Sequence, residues 1–161
     1  MEKLIKQTGI EVLIRSVKKS AASKWLTPIV IYAYAFLYMY TGYDKLHNVA
    51  QFIKGSKRIP FFGQYAELIG WGIPILEILL AVFLVFSSGK TRRITLGVAV
   101  TLMGIFTLYL ALMMGFIEQR LCHCGGVISS MGWTTHLIFN LIWLAAGIYA
   151  YRTLKVFTPL K

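Results

Sequence analysis

Long apolar stretches alternate with short polar segments along this chain. The apolar stretches cover residues 25–42, 65–86, 94–117 and 133–151. A helix needs about 20 mostly apolar residues to cross the hydrocarbon core of a bilayer, and each stretch comes near that length. The polar segments between them are too short for a second domain. The pattern therefore predicts an all-α fold, a four-helix transmembrane bundle made of residues 25–151.

Proline and tyrosine positions in the first stretch carry more specific expectations. Pro28 stands near its start, and in the first turn of a helix the missing N–H of proline costs little. Tyr38, Tyr40 and Tyr43 crowd its other end. Tyrosine is enriched where a spanning helix meets the membrane surface, so we predict that these three form an interfacial belt.

The segment before the first stretch, residues 1–24, is basic and weakly amphipathic. Its apolar side chains recur at helical spacing, at Ile10, Leu13, Ile14, Val17 and Ala21. Such a helix lies on an anionic membrane surface and is held there by its lysines. We therefore predict an N-terminal amphipathic interfacial helix, with a helix that docks a partner protein as the alternative. A basic cytoplasmic tail, residues 152–161, ends the chain.

Composition and charge agree with a membrane protein. Only 14% of the residues are charged, against about 25% in soluble chains. The net charge of +11 does not indicate nucleic acid binding, because the basic residues cluster at the ends of the apolar stretches. With the N-terminus in the cytoplasm, twelve of the 17 lysines and arginines lie on that side and five on the other. The positive-inside rule then predicts a bacterial inner-membrane protein with both termini cytoplasmic.

Both cysteines of the chain lie in the polar segment between the last two apolar stretches. The sequence there reads Cys122-His123-Cys124-Gly125-Gly126. The predicted orientation places this segment in the periplasm, where disulfides persist. A Cys-x-Cys disulfide closes a very small ring, so the bond is expected to be strained and readily reduced. His123 can stabilise a thiolate, and the pattern therefore favours thiol–disulfide exchange by Cys122 and Cys124, assisted by His123.

Two other interpretations of the cysteine segment stay open at this point. Metal binding would use both cysteines and His123, with His136 as a further ligand. Adjacent ligands cannot easily surround one ion, and structural zinc sites space their cysteines by about two to four residues, so no metal site is predicted. In the remaining interpretation, the two cysteines are inert residues of a tight turn.

Ionisable and polar residues within the apolar stretches are further candidates, because they are expensive inside a membrane and usually functional. Glu67 and His136 lie at similar depths near the outer surface, and Glu77 lies about 15 Å deeper than Glu67 at about 1.5 Å per residue. We hypothesise a polar pocket beneath the cysteine segment that moves protons during thiol chemistry. The set of supporting residues is Asp44, Lys45, Glu67, Glu77, His136 and Asn140.

A purely structural role of these residues is the alternative. Glu67 with His136, or Glu77 with Asn140, would then be contacts that hold the helices together. Asp44 and Lys45 would form a local salt bridge at the end of the first span.

Three motifs resemble the MauE/DoxX group of small four-helix membrane proteins. They are Thr41-Gly42-Tyr43-Asp44-Lys45-Leu46, Glu67-Leu68-Ile69-Gly70 with Pro74-Ile75-Leu76-Glu77, and Cys122-His123-Cys124-Gly125. The resemblance extends over about residues 34–151, and the cysteine motif points to the MauE-like, redox-associated branch. That branch is implicated in maturing a disulfide-rich periplasmic partner, so the resemblance implies such a role here. Residues 1–24 are a longer basic segment than this family leads us to expect.

Together these observations predict an inner-membrane protein that uses Cys122 and Cys124 for thiol–disulfide exchange with an exported partner, or for its maturation. If it is an enzyme, it is a membrane thiol–disulfide oxidoreductase with His123 and His136 as proton handlers and Glu67 as polar support. A quinone acceptor is suggested only by analogy with DsbB-type four-helix proteins. Besides the lipid bilayer, a periplasmic or membrane protein partner is expected. The alternatives are a non-catalytic accessory subunit of an envelope complex and a quinone-linked sulfur oxidoreductase subunit similar to DoxX proteins.

Overall fold

The computed structural model describes residues 2–57, 63–116 and 132–157, and these residues form helices joined by short turns without any strand. The predicted all-α fold is therefore confirmed. In chain order the elements are α1 (Glu2–His47), α2 (Val49–Ser56), a 3-10 turn (Gly63–Tyr65), α3 (Ala66–Phe86), α4 (Gly89–Phe116) and α5 (Trp133–Phe157).

Three of the described segments are long and apolar enough to cross a membrane: Gly63–Phe86, Gly89–Gly115 and Trp133–Leu154. They coincide with the second, third and fourth predicted spans, so the chain is a multi-pass membrane protein. The first predicted span, residues 25–42, lies within α1 but is not among these three, since its tyrosines make it less apolar. Passage of α1 through the membrane therefore stays a prediction.

Helix α1 is much longer than the first apolar stretch. It runs from Glu2 to His47 without a break, so residues 2–24 continue directly into the predicted span. The expectation for Pro28 is wrong, because this proline lies in the interior of α1 rather than in its first turn. A proline in a helix interior removes one backbone hydrogen bond and crowds the preceding turn. The interfacial position of residues 2–24 stays a prediction.

The four long helices form a bundle in which each packs most closely against two neighbours. Helix α1 contacts α3 and α5, and α4 also contacts α3 and α5. The side of α1 that faces the bundle is a stripe at helical spacing, and its buried members are Thr27, Val30, Ile31, Tyr34, Ala35, Leu37 and Tyr38. The short helix α2 lies against α3.

Two tyrosines of α1 bind the backbone of the neighbouring helices. The Tyr34 hydroxyl donates to the Trp143 carbonyl oxygen of α5 at 2.7 Å, and the Tyr38 hydroxyl donates to the Ala99 carbonyl oxygen of α4 at 2.7 Å. Each hydroxyl thereby has an acceptor, as buried polar groups generally do. Tyr38 is thus a core residue, and its predicted place in an interfacial belt is wrong.

Candidate functional site

A buried ion pair joins α1 to α3 inside the bundle. The Lys45 Nζ atom lies 2.5 Å from Glu77 Oε1, and the two side chains are only 12% and 1% exposed. Removing two charges from water is expensive, and their mutual attraction often fails to offset that loss. Ionisable residues at membrane depth are therefore kept mainly for function, which makes this pair the centre of the candidate site.

A close approach of the two helices brings the pair together. A Cβ atom on Gly42 would lie 2.9 Å from Ile78 Cγ1 and 3.0 Å from the Pro74 carbonyl oxygen. Only glycine fits there without displacement of α3. Because Gly42 and Lys45 are three residues apart, they lie on the same face of α1. The close contact at Gly42 therefore directs Lys45 onto the buried face of α3 that carries Glu77.

Side chains from the other helices surround this pair. The Phe106 ring of α4 has its centroid 5.1 Å from Lys45 Nζ, a cation–π distance. On α5, His136 is half-buried and close enough to Lys45 for their charges to interact. The Thr41 hydroxyl lies near the Glu77 carboxylate. All four long helices thus contribute to one site, which we call the Lys45–Glu77 site.

One oxygen of the site is left without a hydrogen bond. Within the part of the chain that the structure describes, Glu77 Oε2 is buried and has no hydrogen-bond donor. A buried carboxylate oxygen is strongly favoured to have one. The carboxyl group can therefore accept a further hydrogen bond or a proton at Oε2.

Two structural interpretations of the sequence are corrected here. Asp44 and Lys45 do not form a local salt bridge. The side-chain amide nitrogen of Asn48 lies 3.4 Å from Asp44 Oδ1, whereas Lys45 binds Glu77. Adjacent residues on a helix point in different directions, which separates the Asp44 and Lys45 side chains. The partner of Glu77 is likewise Lys45 of α1, and the alternative contact with Asn140 of α5 is not the one formed. Asn140 is buried one turn after His136.

Glu67 lies away from this site, on the outside of the bundle. Its side chain is 79% exposed, and Oε1 is 3.8 Å from the Nζ atom of Lys57, which is itself 58% exposed. Ten residues separate Glu67 from Glu77, which places the two about 80° apart around α3. Similar depth was the only basis for grouping Glu67 with His136, and depth does not determine which side of a helix a residue occupies.

The predicted catalytic residues Cys122, His123 and Cys124 lie outside the described residues. The segment that contains them connects the end of α4 to the start of α5, and His136 follows in the first turn of α5, where its backbone N–H bonds the Gly132 carbonyl oxygen at 2.9 Å. Among the described residues, no three histidine, cysteine or acidic side chains are grouped so that they could hold a metal ion.

Two members of the site, Phe106 and Thr41, did not emerge from the sequence. Phe106 is one of ten phenylalanines in the chain, and nothing in its neighbourhood distinguishes it from an ordinary core residue. Thr41 stands four residues before Lys45, so helical spacing alone places it on the same face. Helical spacing is therefore the sequence signal that could have identified Thr41. The same kind of spacing, three residues, places Gly42 on the face of Lys45.

Comparison with known proteins identifies the family. No curated protein and no solved structure was found to be significantly similar to the chain. The family model of the methylamine utilisation protein MauE matches residues 23–152, a range that includes Lys45, Glu77 and the cysteine segment. This confirms the MauE resemblance of the motifs, while the wider link to DoxX proteins stays a prediction. Because the match covers most of the chain, the protein belongs to the MauE family.

Proposed function

We propose that this protein exchanges disulfides with an exported partner through Cys122 and Cys124, and that the Lys45–Glu77 site handles protons for that chemistry. The observation that carries the proposal is the buried Lys45–Glu77 pair, which joins α1 to α3, with His136 half-buried in the first turn of α5. Helix α5 begins directly after the segment that holds both cysteines of the chain. Burying a charged site of this kind in a membrane costs free energy, so the site is expected to serve a reaction nearby.

The exchange conserves atoms and electrons. A partner thiolate attacks one sulfur of the Cys122–Cys124 disulfide, so that a mixed disulfide forms and the other cysteine leaves as a thiolate. A second partner thiolate then attacks the mixed disulfide, which oxidises the partner and leaves Cys122 and Cys124 reduced. Two electrons and two protons pass from the partner to the cysteine pair. For reoxidation we propose a membrane quinone, which takes up these two electrons and two protons as the quinol.

The histidines and the Lys45–Glu77 site have proton-handling roles in this proposal. His123 stands between the two cysteines and stabilises the attacking or leaving thiolate. His136 and the Lys45–Glu77 site, with its free acceptor at Glu77 Oε2, would receive protons released when the cysteine pair is reoxidised. Asn140 and Asp44 support the polar surroundings of the site, whereas the exposed Glu67 has no proton-handling role in this proposal.

We further propose the inner membrane as the location, with both termini in the cytoplasm. The distribution of lysines and arginines supports this orientation, because twelve lie on the predicted cytoplasmic side and five on the other. The name of the family refers to methylamine utilisation. An exported, disulfide-containing protein of methylamine utilisation is accordingly the proposed partner.

Thiol labelling in intact cells tests the redox function. Because the chain has only two cysteines, a membrane-impermeant maleimide reports on this pair alone, and the double variant C122S/C124S supplies the blank. We expect no labelling at first and labelling from outside after mild reduction. The single variants C122S and C124S should be folded but lose partner maturation, because a single cysteine cannot form the disulfide that the partner thiolate attacks. Labelling without reductant, or normal maturation in both single variants, would contradict the proposal.

A non-catalytic accessory subunit remains the second candidate, and the length of α1 favours it. This helix includes residues 2–24 in addition to the first predicted span, which suits a docking element for another protein. The accessory role predicts that C122S and C124S preserve function and that removal of residues 2–24 abolishes it. The redox role predicts the opposite sensitivity.

A further inference from the structure

An open apolar groove runs along the outer surface of α4, from the start of that helix to the level of Leu76, the neighbour of Glu77 in α3. Its volume is about 840 Å³, and most of its lining comes from α4 with contributions from α3 and α5. Along α4 it extends over residues 94–105, about 16 Å at the rise of an α-helix. One leaflet of a bilayer core is about 15 Å thick, so the groove matches the length of lipid acyl chains in one leaflet.

Arginines stand at one end of this groove. Arg152 and Tyr151 are part of its lining, and the Arg93 guanidinium carbon lies 5.3 Å from the centroid of the Tyr151 ring. Arg92 precedes Arg93 at the start of α4 and places one guanidinium nitrogen 3.4 Å from the Val85 carbonyl oxygen. The guanidinium groups of Arg93 and Arg152, from two helices, therefore lie near the mouth of an apolar groove, and Arg92 precedes Arg93 in the chain.

These arginines lack carboxylate partners within the described residues. The two ion pairs found there join Lys45 with Glu77 and Lys57 with Glu67, and neither includes an arginine. Arg93 and Arg152 therefore have guanidinium N–H donors without a carboxylate acceptor in the described part of the chain. Unpaired donors on a planar guanidinium fit the oxygens of a phosphate group.

We propose that the groove binds an anionic phospholipid. Its phosphate lies at Arg93 and Arg152, with Arg92 nearby, and its acyl chains lie along residues 94–105. The charge of the groove mouth together with its apolar floor selects this occupant over a neutral isoprenoid molecule, which would leave the arginines unpaired. In the proposed orientation the lipid belongs to the cytoplasmic leaflet, where anionic lipids attract basic residues.

Lipid binding to the full-length protein tests this proposal. Native mass spectrometry in detergent would compare phosphatidylglycerol with phosphatidylcholine of identical acyl chains. We expect the wild type to prefer phosphatidylglycerol and the variant R93Q/R152Q to lose about tenfold in affinity for it. The matched control is K54Q/K57Q, which removes two positive charges at the opposite end and should keep the preference. Circular dichroism should show the same helical content in all three proteins.

A second variant examines the apolar part of the groove. V98W fills the groove while leaving the arginines in place, and it should weaken phosphatidylglycerol binding by a similar factor. Competition by inorganic phosphate distinguishes a headgroup site from a simple anion site, since free phosphate cannot use the groove and should displace the lipid poorly. Three results would overturn the proposal. The wild type would bind both lipids equally, R93Q/R152Q and K54Q/K57Q would lose the same affinity for phosphatidylglycerol, or V98W would bind it as the wild type does.

Discussion

The Lys45–Glu77 pair predicts an unusual mutational pattern, in which two changes together are less harmful than either alone. K45M leaves the Glu77 carboxylate buried without its partner. E77L likewise leaves the Lys45 ammonium group buried without a carboxylate partner. Breaking a buried ion pair from one side costs about 3–5 kcal/mol, because the remaining charge is uncompensated. The near-complete burial of Glu77, at 1% exposure, places this pair at the upper part of that range.

The double variant K45M/E77L removes both charges and supplies apolar side chains of similar size. Replacing a buried ion pair in this way is commonly neutral, or stabilising by about 1–4 kcal/mol. We therefore expect K45M/E77L to be at least as stable as the wild type, while both single variants are destabilised. The coupling free energy from this double-mutant cycle should therefore be at least about 6 kcal/mol in magnitude, because two losses of at least about 3 kcal/mol each are absent from the double variant.

Unfolding in mixed detergent micelles measures all four proteins, and partner maturation in cells measures their function. If the pair handles protons for the cysteine chemistry, K45M/E77L will be stable but inactive. A double variant as unstable as K45M alone would refute the energetic argument, since the pair would then be needed for packing. A stable and fully active double variant would refute the functional one.

Three further predictions concern the fold around the site. G42A should destabilise the protein by about 1–3 kcal/mol because its methyl group collides with α3. The control G72A should not destabilise it, since nothing lies within 4 Å of the new methyl group there. Denaturant titration compares the two variants. Y38F removes a buried hydrogen bond to the backbone of α4 and should cost about 1 kcal/mol, while Y32F on the exposed side of α1 should be neutral. E67Q breaks an exposed ion pair and should change the free energy of unfolding by less than about 1 kcal/mol; a larger loss would mean that Glu67 has a buried partner.

Most helix positions could be predicted because a membrane restricts the backbone. Every backbone polar group in a bilayer must be bonded internally, so an apolar stretch of the right length becomes a helix. The second predicted span, residues 65–86, accordingly corresponds to α3 at Ala66–Phe86. The start of α1 could not be predicted in the same way, because residues 2–24 are polar and their helix continues without a break past Pro28.

The sequence by itself determined the helical class, the membrane character, the MauE motifs and the two cysteines as the candidate redox pair. Only the tertiary structure decided that Lys45 pairs with Glu77 rather than with Asp44, and that Tyr38 is a core residue. The physical reason is that a residue's depth follows from its position along a helix, whereas its partner depends on how neighbouring helices are rotated and shifted against each other. Here the close contact at Gly42 sets the rotation and shift of α1 against α3. That contact exists only once the two helices are packed.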